Sequence, residues 1–138
     1  IFACCPSISG SSVPAPAEVS SLVDIKDYLI DASAQAMVKA YDPTGEHAKN
    51  PLAWPYHATV RDLGGLPPHT ISVNELDPLR DEGLIYARKL AQAGVQTISR
   101  TVNSTPHGGD THMLSFIPEI YYATIRDISG FAKSIDSN

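Results

Sequence analysis

The stretch Asn74-Glu75-Leu76-Asp77-Pro78-Leu79-Arg80-Asp81-Glu82-Gly83, preceded by His69-Thr70-Ile71-Ser72-Val73, decides the fold. Ile71 and Val73 are β-branched and alternate with polar neighbours, as a strand end requires, while Pro78 lacks the N–H for a central ladder and marks where the strand stops. A helical pattern follows. Asp81 and Glu82 suit the positive end of a helix dipole, Leu84, Ala87, Leu90 and Ala91 make an apolar stripe reaching about Ala93, and Gly94 is the stop. Residues 95–102 then alternate as a second strand with Ile98 inward, parallel to the first and joined to it by a right-handed crossover. This is a βαβ unit, and it predicts an α/β fold. Asp77 falls on the loop leaving the first strand, where ligands and catalytic groups collect in open α/β sheets. Taken alone, an Asp before a helix is more often only an N-cap.

The octapeptide Leu76-Asp77-Pro78-Leu79-Arg80-Asp81-Glu82-Gly83 resembles the block that carries the triad aspartate in the hormone-sensitive-lipase-like branch of α/β-hydrolase esterases. Asn50-Pro51-Leu52-Ala53-Trp54-Pro55 is similar to the stretch that in those esterases precedes the aspartate strand and lies against the mouth of the site. The resemblance implies that Asp77 is the triad acid and that His107, after the second strand, is the triad histidine. Acid before histidine is the α/β-hydrolase order, with the nucleophilic serine upstream of both. No Gly-x-Ser-x-Gly stretch occurs in the 138 residues, and Gly10-Ser11-Ser12-Val13-Pro14 has the wrong pattern. The resemblance therefore predicts one domain part, residues 1–138, forming the C-terminal portion of a doubly wound, mostly parallel hydrolase sheet.

The activity implied is hydrolysis of small or short-acyl carboxylic esters through an acyl-enzyme, with no cofactor. A serine hydroxyl is a poor nucleophile at neutral pH, so an imidazole must take its proton and a carboxylate must orient that imidazole. Asp77 and His107 have those residue types, and each follows a strand, so their loops leave the same sheet edge. The serine and the oxyanion glycines must come from a missing N-terminal part, and this chain alone is expected to be inactive. Two other readings stand beside this one. A small-molecule receptor of hydrolase fold is the first, although in the plant hormone receptor branch the catalytic histidine is lost and here His107 is kept. A fragment with no function of its own is the second.

His107-Gly108-Gly109-Asp110-Thr111-His112 invites two further assignments. His107, Asp110 and His112 could supply three zinc ligands, but no further ligand cluster accompanies them. The His-Gly-Gly sequence mimics an oxyanion loop, which in this family lies upstream of the nucleophile rather than downstream of the acid. The glycines are expected instead to let the loop approach the serine. Asp81 and Glu82 are assigned to the helix dipole, with Arg80 pairing one of them. His57 and His69 receive no role. Gly64-Gly65 lacks the following helix and lysine of a phosphate cradle.

A composition of 43% hydrophobic and 18% charged residues is that of a globular domain. The net charge of −5 leaves no basic surface for nucleic acid or anionic lipid. The apolar runs fall far short of the roughly 20 residues needed to span a bilayer. Ile1-Phe2-Ala3-Cys4-Cys5-Pro6 has no basic n-region and reads as a strand inside the sheet rather than a targeting segment. Cys4 and Cys5 are the only cysteines and are adjacent, which disfavours a bridge between them and points to buried thiols, consistent with the cytoplasm rather than secretion.

Residues 7–16 have loop composition. Leu22, Ile25, Leu29 and Ile30, then Ala34, Met37, Val38 and Tyr41, predict two short helices with their Met and aromatic positions in the core, the second capped by Asp31 and stopped at Asp42-Pro43-Thr44-Gly45. Residues 46–68 are too rich in Pro and Gly for a long element, yet Leu52, Trp54, Tyr56 and Leu63 call for burial. Pro118 opens a last helix whose Tyr121, Ile125, Ile128, Ala132 and Ile135 should face the sheet. The strand at 96–102 should end the sheet with one edge open, and in the resembling esterases this strand and the last helix often meet their copies, which predicts a homodimer through that edge.

Overall fold

The computed structural model describes residues 1–10, 17–25, 28 and 35–136. Its elements are β1 (Phe2–Cys4), α1 (Ser21–Asp24), α2 (Gln35–Tyr41), a 3-10 turn at Pro55–His57, β2 (His69–Leu76), α3 (Arg80–Gln92), β3 (Thr97–Pro106), α4 (Gly109–His112) and α5 (Pro118–Asp136). The strands form one parallel sheet in the order β1-β2-β3. Phe2 stands against Thr70 and Cys4 against Ser72, while His69 stands against Thr97 and Asn74 against Val102. The βαβ unit is present, with α3 as its crossover and Gly94 at φ +78 beyond the helix end.

Strand alternation gives β2 two faces, and both are buried from His69 to Asn74. Ile71 and Val73 pack with Tyr86, Ala87 and Leu90 of α3 and with Ala58, Leu63 and Val95. The helix comes close because Gly83 faces the strand: a Cβ there would lie 2.7 Å from Val73 Cγ1. Lys89 ties the 3-10 turn to the same helix, donating to the Tyr56 carbonyl at 2.5 Å. The opposite face carries Ser72 and Asn74. Arg100 of β3 donates from Nε to Ser72 Oγ (2.8 Å) and from Nη2 to Thr124 Oγ1 of α5 (2.9 Å), and its Nη1 pairs with Asp127. Phe2 lies beneath the guanidinium and meets Phe131 edge-on at 5.7 Å.

Several expectations are corrected. The first strand is Phe2–Cys4, shorter than expected and half-buried, and it pairs with β2 among the described residues. The second strand runs on to Leu76, because Asn74 and Glu75 find polar partners on β3 and its following loop. Ile98 is 58% exposed: two residues before Arg100, it lies on the same face of β3, beyond the reach of the residues of α5 that cover Arg100. On α5 the inward residues are Tyr121, Thr124, Ile128 and Phe131, drawn by Arg100, Asp110 and Phe2, while Ile125, Ala132 and Ile135 are exposed. Met37 (71%) and Tyr41 are exposed, and Leu52 is 91% exposed, because no described element covers them; Tyr41 only rests on the Trp54 ring. Asp31 and most of the 7–16 loop lie outside the described residues. The stop at Asp42 is present, its carboxylate accepting from the His47 amide at 3.1 Å. Cys4 and Cys5 are both free thiols. No helix of the described residues is long and apolar enough to cross a membrane.

Candidate active site

Asp77 is the first residue beyond β2, and its side chain is fully buried. Oδ1 accepts the Leu79 amide at 2.8 Å and the Asp77 carbonyl accepts the Arg80 amide at 3.0 Å, a local turn that fixes the carboxylate before α3 begins. The second oxygen, Oδ2, is thereby aimed at the end of β3. His107 stands there, the first residue beyond that strand, with Nδ1 2.9 Å from Asp77 Oδ2. An ionised carboxylate can only accept, so Nδ1 carries the proton and Nε2 is the nitrogen available to a reacting group. The hydrogen bond to Asp77 holds the His107 pKa above the ordinary imidazole value; burial pulls the other way and the Asp77 charge adds to the rise.

A bulge brings the two residues together. Asn74 pairs with Val102 and Leu76 with Pro106, so β3 uses two more residues than β2 over the same step. Ser104 takes a left-handed φ of 61° within it, its amide held by Glu75 Oε2 at 2.6 Å. Thr105 turns fully inward and donates to the Val102 carbonyl at 2.6 Å. The glycines after His107 allow close packing within the loop. Gly108 has φ +66, and a Cβ on it would lie 2.8 Å from His112 Nδ1, while one on Gly109 would lie 2.7 Å from Pro106 Cδ. Neither position accepts a side chain without moving the loop.

Sequence reasoning missed Cys5 and Asn74. Asn74 is a buried strand residue whose amide reaches across to the histidine loop. Cys5 follows β1 with φ 45, and its Sγ donates to Asn74 Oδ1 at 2.5 Å. Burial pushes that thiol up to about 12, with the charges of Asp77 and Asp110 adding and a hydrogen bond to Gly108 opposing. The only advance signal was position: Cys5 ends one strand, and Asn74 stands on the polar set of the other, directly before its turn.

Cys5, Asp77 and His107 bring one ligand atom each within 4.8 Å of one another. Those atoms already serve each other and Asn74, and a thiol held protonated is a poor metal donor. His107, Asp110 and His112 diverge: Asp110 turns to Asn74 and Thr124, and His112 Nδ1 lies 2.9 Å from the Gly108 carbonyl.

Arg80 does pair with Asp81, whose other oxygen accepts the Ser21 amide at 2.9 Å. Glu82 is more than a dipole partner. It is fully buried, and its Oε1 accepts the Ile8 amide at 2.8 Å, which ties the segment after β1 to α3. Burial pushes its carboxyl pKa up, against hydrogen bonds from Ser9 and Ile8. His57 and His69 lie near backbone carbonyls, those of Ser9 and Pro67.

A parallel three-stranded sheet whose strand ends present an Asp–His pair defines an α/β hydrolase. The family described as alpha/beta hydrolase fold matches residues 5–110, and the chain belongs to that family. Within it the likeness is to the hormone-sensitive-lipase-like esterases. Brefeldin A esterase, described as a bacterial homologue of human hormone-sensitive lipase, superposes with a TM-score of 0.90 at 46% identity, over 95% of this chain and 38% of that one. An arylesterase of Saccharolobus solfataricus is 38% identical over 84 residues, 59% of this chain and 27% of its own length. A carboxylesterase of Mycobacterium tuberculosis is 36% identical over 74 residues, 54% of this chain and 23% of its own length. The chain thus matches about a quarter of the length of these curated relatives.

Proposed function

We propose that residues 1–138 are the C-terminal part of a single hydrolase domain and supply the acid and the histidine of a serine carboxylesterase acting on small or short-acyl esters. The observation that carries this reading is the 2.9 Å contact between His107 Nδ1 and a fully buried, doubly anchored Asp77. A serine outside these residues attacks the ester carbonyl while His107 Nε2 takes its proton, giving a tetrahedral oxyanion. The imidazolium formed is steadied by Asp77. It returns its proton to the departing alcohol, leaving the acyl-serine. Water then attacks that ester with the same nitrogen as base, and the acid and the free serine are released.

The test is His107→Ala in the full-length protein against p-nitrophenyl acetate. We expect a loss of at least about 10³-fold in kcat, with His57→Ala and His69→Ala within about threefold of the parent. Comparable losses for all three would overturn the assignment. Because the imidazole must be neutral to accept a proton, activity rises with pH through the raised His107 value, and the acid limb should lie above the ordinary imidazole value of about 6.5.

We also propose a homodimer through the outer edge of β3. Support comes from the exposed Ile98 and from an edge that has no partner strand among the described residues. Light scattering on the full-length protein, before and after Ser99→Pro, tests it. A monomer before the change, or an undisturbed dimer after it, counts against the interface.

A further inference from the structure

The side-chain amide of Asn74 has two donor hydrogens and two acceptor lone pairs, and the structure engages all four. Oδ1 accepts the Gly108 amide at 3.0 Å and the Cys5 thiol at 2.5 Å. Nδ2 donates to Thr105 Oγ1 at 2.7 Å and to Asp110 Oδ1 at 3.0 Å. Asn74, Thr105 and Asp110 are fully buried, so water does not compete for these bonds. Three of the four partners bracket His107: Thr105 comes two residues before it, Gly108 directly after it and Asp110 three residues after it. Asn74 itself lies on β2 three residues before Asp77. Behind it, Asp110 Oδ2 accepts from Thr124 Oγ1 of α5 at 2.9 Å, and Thr124 in turn accepts from Arg100.

We propose that Asn74 is the positioning residue of the site, a clamp that sets the histidine-bearing loop against the same strand that carries Asp77 and thereby fixes the Asp77–His107 separation. The proposal rests on the reading of Asp77 and His107 as the acid and base of the reaction. Asn74 touches neither substrate nor reacting atoms; it acts through His107. The bulge in β3 gives such a clamp its task. With two extra residues between Val102 and Pro106, the ladder is interrupted before Leu76 pairs again with Pro106, and the Asn74 side chain bridges that interruption to the residues on either side of His107. An amide suits the task, since it must accept from a backbone N–H and a thiol on one side and donate to a hydroxyl and a carboxylate on the other. A carboxylate in its place would face Asp110 without a proton to share. An aliphatic residue would leave Asp110 Oδ1 and the Gly108 N–H buried without these partners.

The test uses the full-length protein, with Asn74→Val as the severing variant and Thr105→Val as a milder one that removes a single arm. The first readout is the NMR pH titration of the His107 imidazole, with His57, which the clamp does not touch, as internal control. Loosening the loop weakens the hydrogen bond to Asp77 that raises the His107 pKa, so its midpoint should fall toward the ordinary value in Asn74→Val and less far in Thr105→Val, with His57 unmoved. The second readout is kinetic. With p-nitrophenyl acetate, kcat should fall about 100-fold in Asn74→Val with KM within about threefold, and the acid limb should move to lower pH. If Asn74→Val does not fold, Thr105→Val decides. A folded variant in which His107 titrates as in the parent overturns the clamp. A parent protein that hydrolyses no ester overturns the esterase reading instead, and the titration still decides the role of Asn74.

Discussion

The two faces of β2 are equally buried and built on opposite chemistry. Toward α3, Ile71 and Val73 meet Tyr86, Ala87 and Leu90 in an apolar layer. Toward α5, Ser72 and Asn74 meet Arg100, Thr105, Asp110 and Thr124 in a chain of hydrogen bonds. The first kind of packing is non-directional and scales with the area removed from water. The second adds only about 0.5–1.5 kcal/mol net per bond, but each bond has a preferred length and direction. One strand therefore divides the labour: the apolar face supplies most of the stability, and the polar face supplies the alignment of the strand ends where Asp77 and His107 stand.

The sharpest way to break this comparison is on the apolar side. Leu90→Ala should lower unfolding stability by about 2–5 kcal/mol in urea denaturation while leaving kcat per folded molecule within about twofold. A lost kcat there would mean that alignment also depends on the apolar layer. Gly83→Ala comes next. Its new Cβ would meet Val73 Cγ1 at 2.7 Å, and the strain should cost about 1–3 kcal/mol, again visible in the urea midpoint and not in kcat. On the polar side, Ser72→Ala removes the acceptor for Arg100 Nε and should cost about 1 kcal/mol, since water still reaches the guanidinium. A loss as large as that of Leu90→Ala would erase the distinction.

The smallest expected effect is in the pH dependence of stability. The His107 pKa is raised in the folded protein, so its contribution is fully present below the unfolded value of about 6.5 and is lost as pH rises through the folded value. His107 is a third exposed, and solvent screening keeps the effect under about 1 kcal/mol. Asp77→Asn should abolish this dependence in denaturation curves taken across that range, and Leu90→Ala should retain it. The opposite pattern would detach the titration from the Asp77 contact.

The same division explains what the sequence revealed. Strand, turn and helix around Asp77 were legible because Ile71, Val73, Leu90 and Gly94 follow simple periodicities on the apolar face, and the belonging to a hydrolase family was legible from the Leu76–Gly83 block. The other face was not. Thr70, Ser72 and Asn74 look like solvent-facing positions, since nothing local tells that Arg100 and Asp110 will cover them. For the same reason Ile125 was expected inward, where Thr124 now lies, and Ile98 was expected to be covered on the face it shares with Arg100. The Asp77 turn was open to local reading, whereas the His107 loop depends on a bulge and on partners from β1, β2 and α5. Glu82 was misjudged because a carboxylate in a first helical turn is ordinarily solvated, and its Ile8 partner lies far away in sequence.

The order β1-β2-β3 also carries a kinetic consequence. The strands β2 and β3 are separated by residues 77–96, about two thirds of them helix α3, whereas β1 must return to β2 across residues 5–68. A loop about threefold longer raises the closure entropy by about 1 kcal/mol, and among the described residues no element as long as α3 shortens the path. The β2-α3-β3 segment should therefore assemble as the nucleus, with β1 docking late and Glu82 receiving the Ile8 amide only at that step. Pulse-labelled hydrogen exchange during refolding would show it as early protection at Ile71 and Val73 and delayed protection at Cys5, whose amide bonds the Ser72 carbonyl. Simultaneous protection would place β1 in the nucleus instead.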